Sequence, residues 1–129
     1  MEFVVRARLA AFQPNADVYV DEDARRIVIV VELAGAEPES LRIGLDERCL
    51  VVAGRRRETA RVRCGSFLQK EIVCGEFVKR IALPVAVEIE GVAASYEDGL
   101  LNVVAPIATT AYMPTSRTEL HVMVKRTHT

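Results

Sequence analysis

The residues of this chain best suited to chemistry are two histidines, three cysteines and a run of arginines. A Cys–His pair makes a thiolate nucleophile only when the imidazole sits within hydrogen-bond reach of the sulfur. Cys49, Cys64 and Cys74 fall in the middle of the chain, whereas His121 and His128 fall in its last stretch. A tail is a poor place for a preorganised base. Zinc needs a close pair of ligands such as C-x-x-C, and none is present. The three cysteines therefore read as small, inert thiols. Their odd number and irregular spacing do not suit a secreted disulfide framework, which points to a reducing, cytoplasmic setting.

The arginines Arg55, Arg56, Arg57, Arg61 and Arg63 could grip phosphates. They lack the interleaved aromatics on which bases stack. Glu58 interrupts them and the formal net charge is −1, so a nucleic-acid partner is not expected. There is no G-x-x-x-x-G-K-[ST], no G-x-G-x-x-G and no H-E-x-x-H. The acidic residues are scattered through turns. No catalytic residue, metal site or cofactor is indicated. No apolar run is long enough for a membrane-spanning helix. The N-terminal MEFVVRARLAAF has no continuous apolar core or clear cleavage site, so a membrane partner is not expected either.

The elements that would position these residues are strands. At 129 residues one domain is expected. Half of the residues are hydrophobic but only 5% are aromatic, and the apolar content is mainly Val, Ile, Leu and Ala. That composition suits packed strands. ADVYVDE alternates, with Val18 and Val20 on one face. In RRIVIVVELA, Ile27, Ile29, Val31 and Leu33 share a face and Val28 and Val30 take the other, as in a strand covered on both sides. Pro38 and Ser40 mark a loop with one helical turn. SLRIGLDER sets Leu41, Ile43 and Leu45 against Arg42, Gly44 and Asp46. CLVVAG follows a tight turn. A long polar stretch, RRRETARVRCGS, precedes FLQKEIVCGEFVKRIALP, where strand character resumes and Phe77, Ile81 and Leu83 share a face. Short strands at this spacing predict a sandwich or barrel.

SYEDGLLNVVAP carries the strongest turn signal, Asp98-Gly99, between two apolar segments. Gly99 supplies the φ > 0 of a tight hairpin. Leu101, Val103 and Ala105 then face the core, and the hairpin closes a β-sandwich. From Ala108 the chain becomes a polar linker, and LHVMV follows it with Leu120, Val122 and Val124 alternating. Such a cluster beyond a linker reads as a strand that docks on an edge or groove elsewhere, in another subunit. Three parts are expected: a short arm at 1–13, with Phe3, Val4, Leu9 and Phe12 as its apolar side; a sandwich at 14–107; and an extension at 108–129.

These segments resemble the small heat shock proteins, whose shared core is the α-crystallin domain. Ala94-Ser95-Tyr96-Glu97-Asp98-Gly99-Leu100-Leu101 is similar to that family's A-x-x-x-n-G-V-L motif. Glu71 to Phe77 with Leu83-Pro84 is similar to E-x-x-x-G-x-F…LP, Pro14 to Val20 to P-x-x-D-v-y-e, and Val31 to Gly35 to v-x-L-P-G. The chain departs from the pattern at Ala34, where the family has Pro, and at Lys79, where it has Arg; lysine keeps the charge but lacks the planar fork.

The resemblance implies an all-β fold, an immunoglobulin-like antiparallel β-sandwich with a short N-terminal arm and a flexible C-terminal tail. It implies an ATP-independent holdase that binds partly unfolded client proteins, working as a homodimer and higher homo-oligomer. Dimers would form by strand exchange, with Arg61, Val62, Arg63 and Phe67 of one copy pairing near Val18 and Val20 of the other. Leu120, Val122 and Val124 would form an I-x-I-like oligomerisation tail. Its acceptor groove would involve Leu41, Ile43, Leu45, Val92 and Ala94. Ala94, Asp98, Gly99, Leu100 and Leu101 would form the hairpin motif. Two other readings stay open: a monomeric binding module similar to the CS-domain co-chaperones, and a structural protein that only assembles.

Overall fold

Strands form where the apolar alternation begins. The computed structural model describes residues 12–46, 48–58, 65–109, 118–120 and 122–124. Among the described residues nine strands run in order: β1 Ala16–Asp21, β2 Arg26–Glu32, β3 Arg42–Asp46, β4 Cys49–Arg56, β5 Gly75–Ala82, β6 Ala93–Glu97, β7 Leu100–Pro106, β8 Thr118–Leu120 and β9 Val122–Val124. They make two sheets, one in the order β1-β2-β7-β6-β9 and the other β5-β4-β3-β8. The described β1–β7 fall inside the expected sandwich at 14–107, and β8 and β9 inside the expected extension. One 3-10 turn covers Pro38–Ser40, where a helical turn is expected, and a second covers Ile89–Gly91.

The inward faces are those the alternation assigns. Ile27, Ile29, Val31 and Leu33 are fully buried, and Ile43, Leu45, Leu50, Val52, Phe77, Leu101, Val103 and Ala105 join them in one core. Val28 is also buried and Val30 half-buried, which fits the expected double cover of β2. No polar or charged residue is buried among the described residues. Gly54 permits close approach: a Cβ there would lie 2.6 Å from Phe77 Cζ, in the middle of the core.

The strand character expected from Phe67 onward starts instead at Gly75. Phe67, Leu68, Ile72 and Val73 are exposed, so the segment before Gly75 buries no face and no ladder fixes it as a strand. LHVMV also differs from expectation. It is two short strands rather than one, because Leu120 and Val122 pair with different sheets.

The hairpin behaves as its residues dictate. Asp98 and Gly99 both have positive φ, 54° and 78°, the backbone signature of a type I′ turn. A Cβ on Gly99 would lie 3.1 Å from Ala34 Cα. The turn approaches this closely because Leu33 N–H donates to the Gly99 carbonyl at 2.8 Å. The Tyr96 hydroxyl donates to the Leu33 carbonyl at 2.7 Å. Leu33 is thus held by the hairpin through both of its backbone groups, and the end of β2 is fixed to the β6–β7 turn.

Burial pushes the Tyr96 phenol above its ordinary pKa, and the Ala36 backbone and the Arg56 charge oppose this without cancelling it. The folded chain therefore holds a proton that the unfolded chain releases. The contribution is fully present below about pH 10 and is lost as the pH rises through and beyond that value. Tyr96→Phe should cost about 0.5–1.5 kcal/mol at neutral pH for the lost hydrogen bond. Its stability should also fall less steeply than the parent's in denaturant titrations above about pH 10. Leu101→Asp places an unpaired carboxylate in the core. It should cost at least about 3–5 kcal/mol and abolish the cooperative transition in a thermal melt followed by circular dichroism.

Candidate functional site

Three surfaces carry the residues that sequence reasoning singled out. The first is the side of the sandwich where β3 and β6 are edge strands. The expected acceptor residues divide between core and groove. Ile43 and Leu45 are buried in the core cluster, and so is Ala94; Val92 is half-buried against them. Leu41 both packs in the core and lines a groove with Pro38, Glu39 and Arg42.

The C-terminal segment lies in that groove. β8 pairs antiparallel with β3, in the register Ile43↔Leu120, Gly44↔Glu119 and Leu45↔Thr118. β9 pairs parallel with β6, in the register Ala94↔Val122, Ser95↔Met123 and Tyr96↔Val124. Leu120, Val122 and Val124 are half-buried and pack on the core cluster, while Met123 points away and is exposed. Arg42 Nη1 meets Glu119 Oε1 at 3.1 Å at the rim. The side chains do not fill the groove: a space of about 350 Å³ remains, lined by Leu120, Val122, Val124, Pro38, Glu39 and Leu41 among others.

Within the single chain the segment pairs with β3 and β6 of its own domain. Sequence reasoning found the three aliphatic residues and the two strands. It missed Pro38, Glu39 and the Arg42–Glu119 pair. The available signal was an arginine on the polar face of one segment and a glutamate beside Leu120. Full burial of one aliphatic side chain contributes about 1.5–3 kcal/mol. These three are half-buried and the segment must be ordered, so the docking is a reversible contact.

The second surface is the free edge at β1. Ala16 and Asp21 are half-buried at its ends, but Val18, Tyr19 and Val20 are 42, 53 and 43% exposed. Neither face of this strand is covered by the described residues. Phe67 is also exposed, in the segment after the arginine-bearing loop. Arg61, Val62 and Arg63 lie outside the described residues, as do His121, His128 and Cys64.

The third surface is the start of the arginine run, and it is already engaged. Arg55 and Arg57 both pair with Glu37, each at 2.8 Å. Arg56 donates to the Val73 carbonyl from Nε at 2.9 Å and from Nη2 at 2.6 Å. Its guanidinium also stacks 4.5 Å from the Phe12 ring centroid. Phe12 in turn makes a bridge to Phe77, with the ring centroids 5.5 Å apart. Phe12, expected on the apolar side of the N-terminal arm, makes a bridge to the edge of β5. Arginines bound to a carboxylate and to carbonyls offer little to a phosphate. Cys49 and Cys74 are free thiols on carbonyl oxygens. No group of metal-ligating side chains occurs among the described residues, and no described helix is long and apolar enough to cross a membrane.

Comparison with known proteins gives this geometry a family. A family model described as Hsp20/alpha crystallin family matches residues 17–125. The 17.8 kDa class II heat shock protein of Zea mays is 35% identical over 102 residues, covering 78% of this chain and 60% of that protein. The 19.0 kDa class II heat shock protein of Oryza sativa is 30% identical over 105 residues, covering 77% and 60%. The chain thus spans about 60% of the length of these plant relatives. Among solved structures, a small heat-shock protein from Xylella fastidiosa has a TM-score of 0.66 at 26% identity, covering 81% of this chain and 96% of that one. The sandwich, the hairpin that closes it and the match along 17–125 together place the chain in the Hsp20/alpha crystallin family.

Proposed function

We propose that this chain is an ATP-independent holdase that binds partly unfolded proteins and keeps them from aggregating. The observation that carries the reading is the open β1 edge, with Val18, Tyr19 and Val20 exposed along it. A client on the way to aggregation exposes apolar surface and unpaired strand edges. An edge with unpaired backbone groups and apolar side chains is complementary to both. Phe67, Leu68, Ile72 and Val73 add further exposed apolar surface. The free thiols Cys49 and Cys74 fit a reducing compartment, and we place the protein in the cytoplasm.

The same edge supports a homodimer. Strand exchange would lay the stretch from Arg61 to Phe67 of one copy along Val18 and Val20 of the other, and dimers would build a higher oligomer. Masking β1 in this way would keep the edge from indiscriminate pairing until a client competes for it.

Two outcomes follow. Light scattering from a heat-aggregating client, with this protein added and no nucleotide, should be suppressed near equimolar ratios. Unchanged scattering at large excess would turn the reading towards an assembly-only protein. Val18→Lys combined with Val20→Lys should lower the assembly mass in multi-angle light scattering. Both side chains are solvent-exposed, so stability should change by no more than about 0.5 kcal/mol per site. An unchanged mass would remove β1 from the dimer.

A further inference from the structure

The face of the β1-β2-β7-β6 sheet that turns away from the core is largely apolar. Ile27, Ile29 and Val31 fill the core, so Val28 and Val30 between them point outwards. The same alternation turns Leu100, Asn102 and Val104 of β7 outwards, because Leu101, Val103 and Ala105 are core. The register sets Tyr19 beside Val28 and Val28 beside Val104, and in the next row Val30 beside Asn102. Tyr19 and Leu100 are exposed, and Val30 and Val104 are half-buried. Carboxylates stand around this apolar field. Leu100 lies between Glu32 and Glu97 in one row, and Val30 is flanked by Asp17. All three acidic residues are exposed. We propose that this outer face docks short segments of partly unfolded proteins that carry lysine or arginine beside aliphatic residues.

Charge selects a cationic occupant. Among the described residues no ion pair engages Asp17, Glu32 or Glu97, whereas Asp21, Glu37, Glu58 and Glu119 are each paired with an arginine or lysine. Arg26 is the one base in these four strands; it lies at the other end of β2 and is bound to Asp21. Adjacent strands are about 4.8 Å apart, so Glu32 and Glu97 straddle Leu100 at roughly 10 Å. A cation over Leu100 is then closer to both than the screening length of about 8 Å at physiological ionic strength.

Size selects a short segment. From β1 to β6 the field is roughly 14 Å wide, and from Leu100 to Val104 it is roughly 13 Å long. That is on the order of 200 Å², against the roughly 800 Å² per partner of a stable interface between folded proteins. A second copy presenting the same face would also set carboxylate against carboxylate, which is repulsive. A short cationic segment fits on both counts. Its aliphatic side chains lie on Val30 and Val104, and its cations meet Glu32, Glu97 and Asp17. This face reads side chains, whereas the β1 edge pairs with any backbone. Its contacts are weak and salt-sensitive, because exposed ion pairs contribute little each and are screened. That the docked segments belong to clients rests on the holdase reading; the docking itself does not.

Fluorescence anisotropy on the full-length protein tests this with two dye-labelled peptides. One is a short peptide of leucine, serine and lysine; the other carries glutamate at every lysine position. The lysine peptide should bind about tenfold more tightly at low salt, and the preference should shrink as salt screens the pairs. Glu32→Gln with Glu97→Gln should cut the preference to about threefold or less. Leu100→Ser should weaken binding of both peptides. All three positions are exposed, so these variants should keep the parent's circular dichroism. Equal binding of the two peptides, or a preference that survives in the double variant, would overturn the proposal. So would a changed assembly mass in that variant, which would make the face an interface between copies. Glu97 sits on β6, three strands from β1, so its effect does not report on the β1 edge. No readout uses an aggregating client. Suppressed client aggregation without peptide preference would sink this face and leave the holdase; preference without suppression would do the reverse.

Discussion

A two-layer sandwich has to do something with the strand edges that flank each of its sheets. An edge strand carries unpaired N–H and C=O groups, and those groups either meet water or pair with another strand. Here the edges are treated differently. β3 and β6 are covered by the C-terminal segment, and β5 receives the bridge from Phe12. Among the described residues nothing pairs with the outer edge of β1, and Val18, Tyr19 and Val20 are exposed on it. Much of what this protein can do follows from that unequal treatment of its edges.

The core sets the terms for the edges. Its residues are mainly aliphatic, with Phe77 as the largest fully buried side chain, and the buried Tyr96 hydroxyl is hydrogen-bonded. Polar groups act instead at the boundaries of the strands. Tyr96 and the Gly99 carbonyl hold Leu33, so the end of β2 is tied to the hairpin. Glu37 gathers Arg55 and Arg57, and Arg56 joins Phe12 to the stretch that leads into β5. These contacts hold the loops on a rigid apolar body. They also occupy the cationic groups that would otherwise make a phosphate-binding patch.

Binding by edges and grooves is graded rather than all-or-none. Backbone pairing is indifferent to sequence, so an open edge can accept many partners. Half-buried aliphatic contacts are individually weak, so they can be exchanged. Membership of the Hsp20/alpha crystallin family fits a protein built from such interactions.

The sequence by itself determined the strands, their inward faces and the closing turn. Alternation in RRIVIVVELA and SLRIGLDER is a local property, because successive side chains of a strand must point to opposite faces. Asp98-Gly99 likewise marks its turn through the backbone geometry that those two residues tolerate. The aliphatic residues of the tail were legible for the same reason. Tertiary structure alone decided which edge each segment meets. Nothing local says that Leu120 pairs with Ile43 while Val122 pairs with Ala94, that Phe12 joins β5, or that Phe67 to Val73 stay outside the sheets. Those choices depend on where the chain leaves the domain and which edges lie within its reach. That is information about distances between residues far apart in sequence, which no periodicity carries.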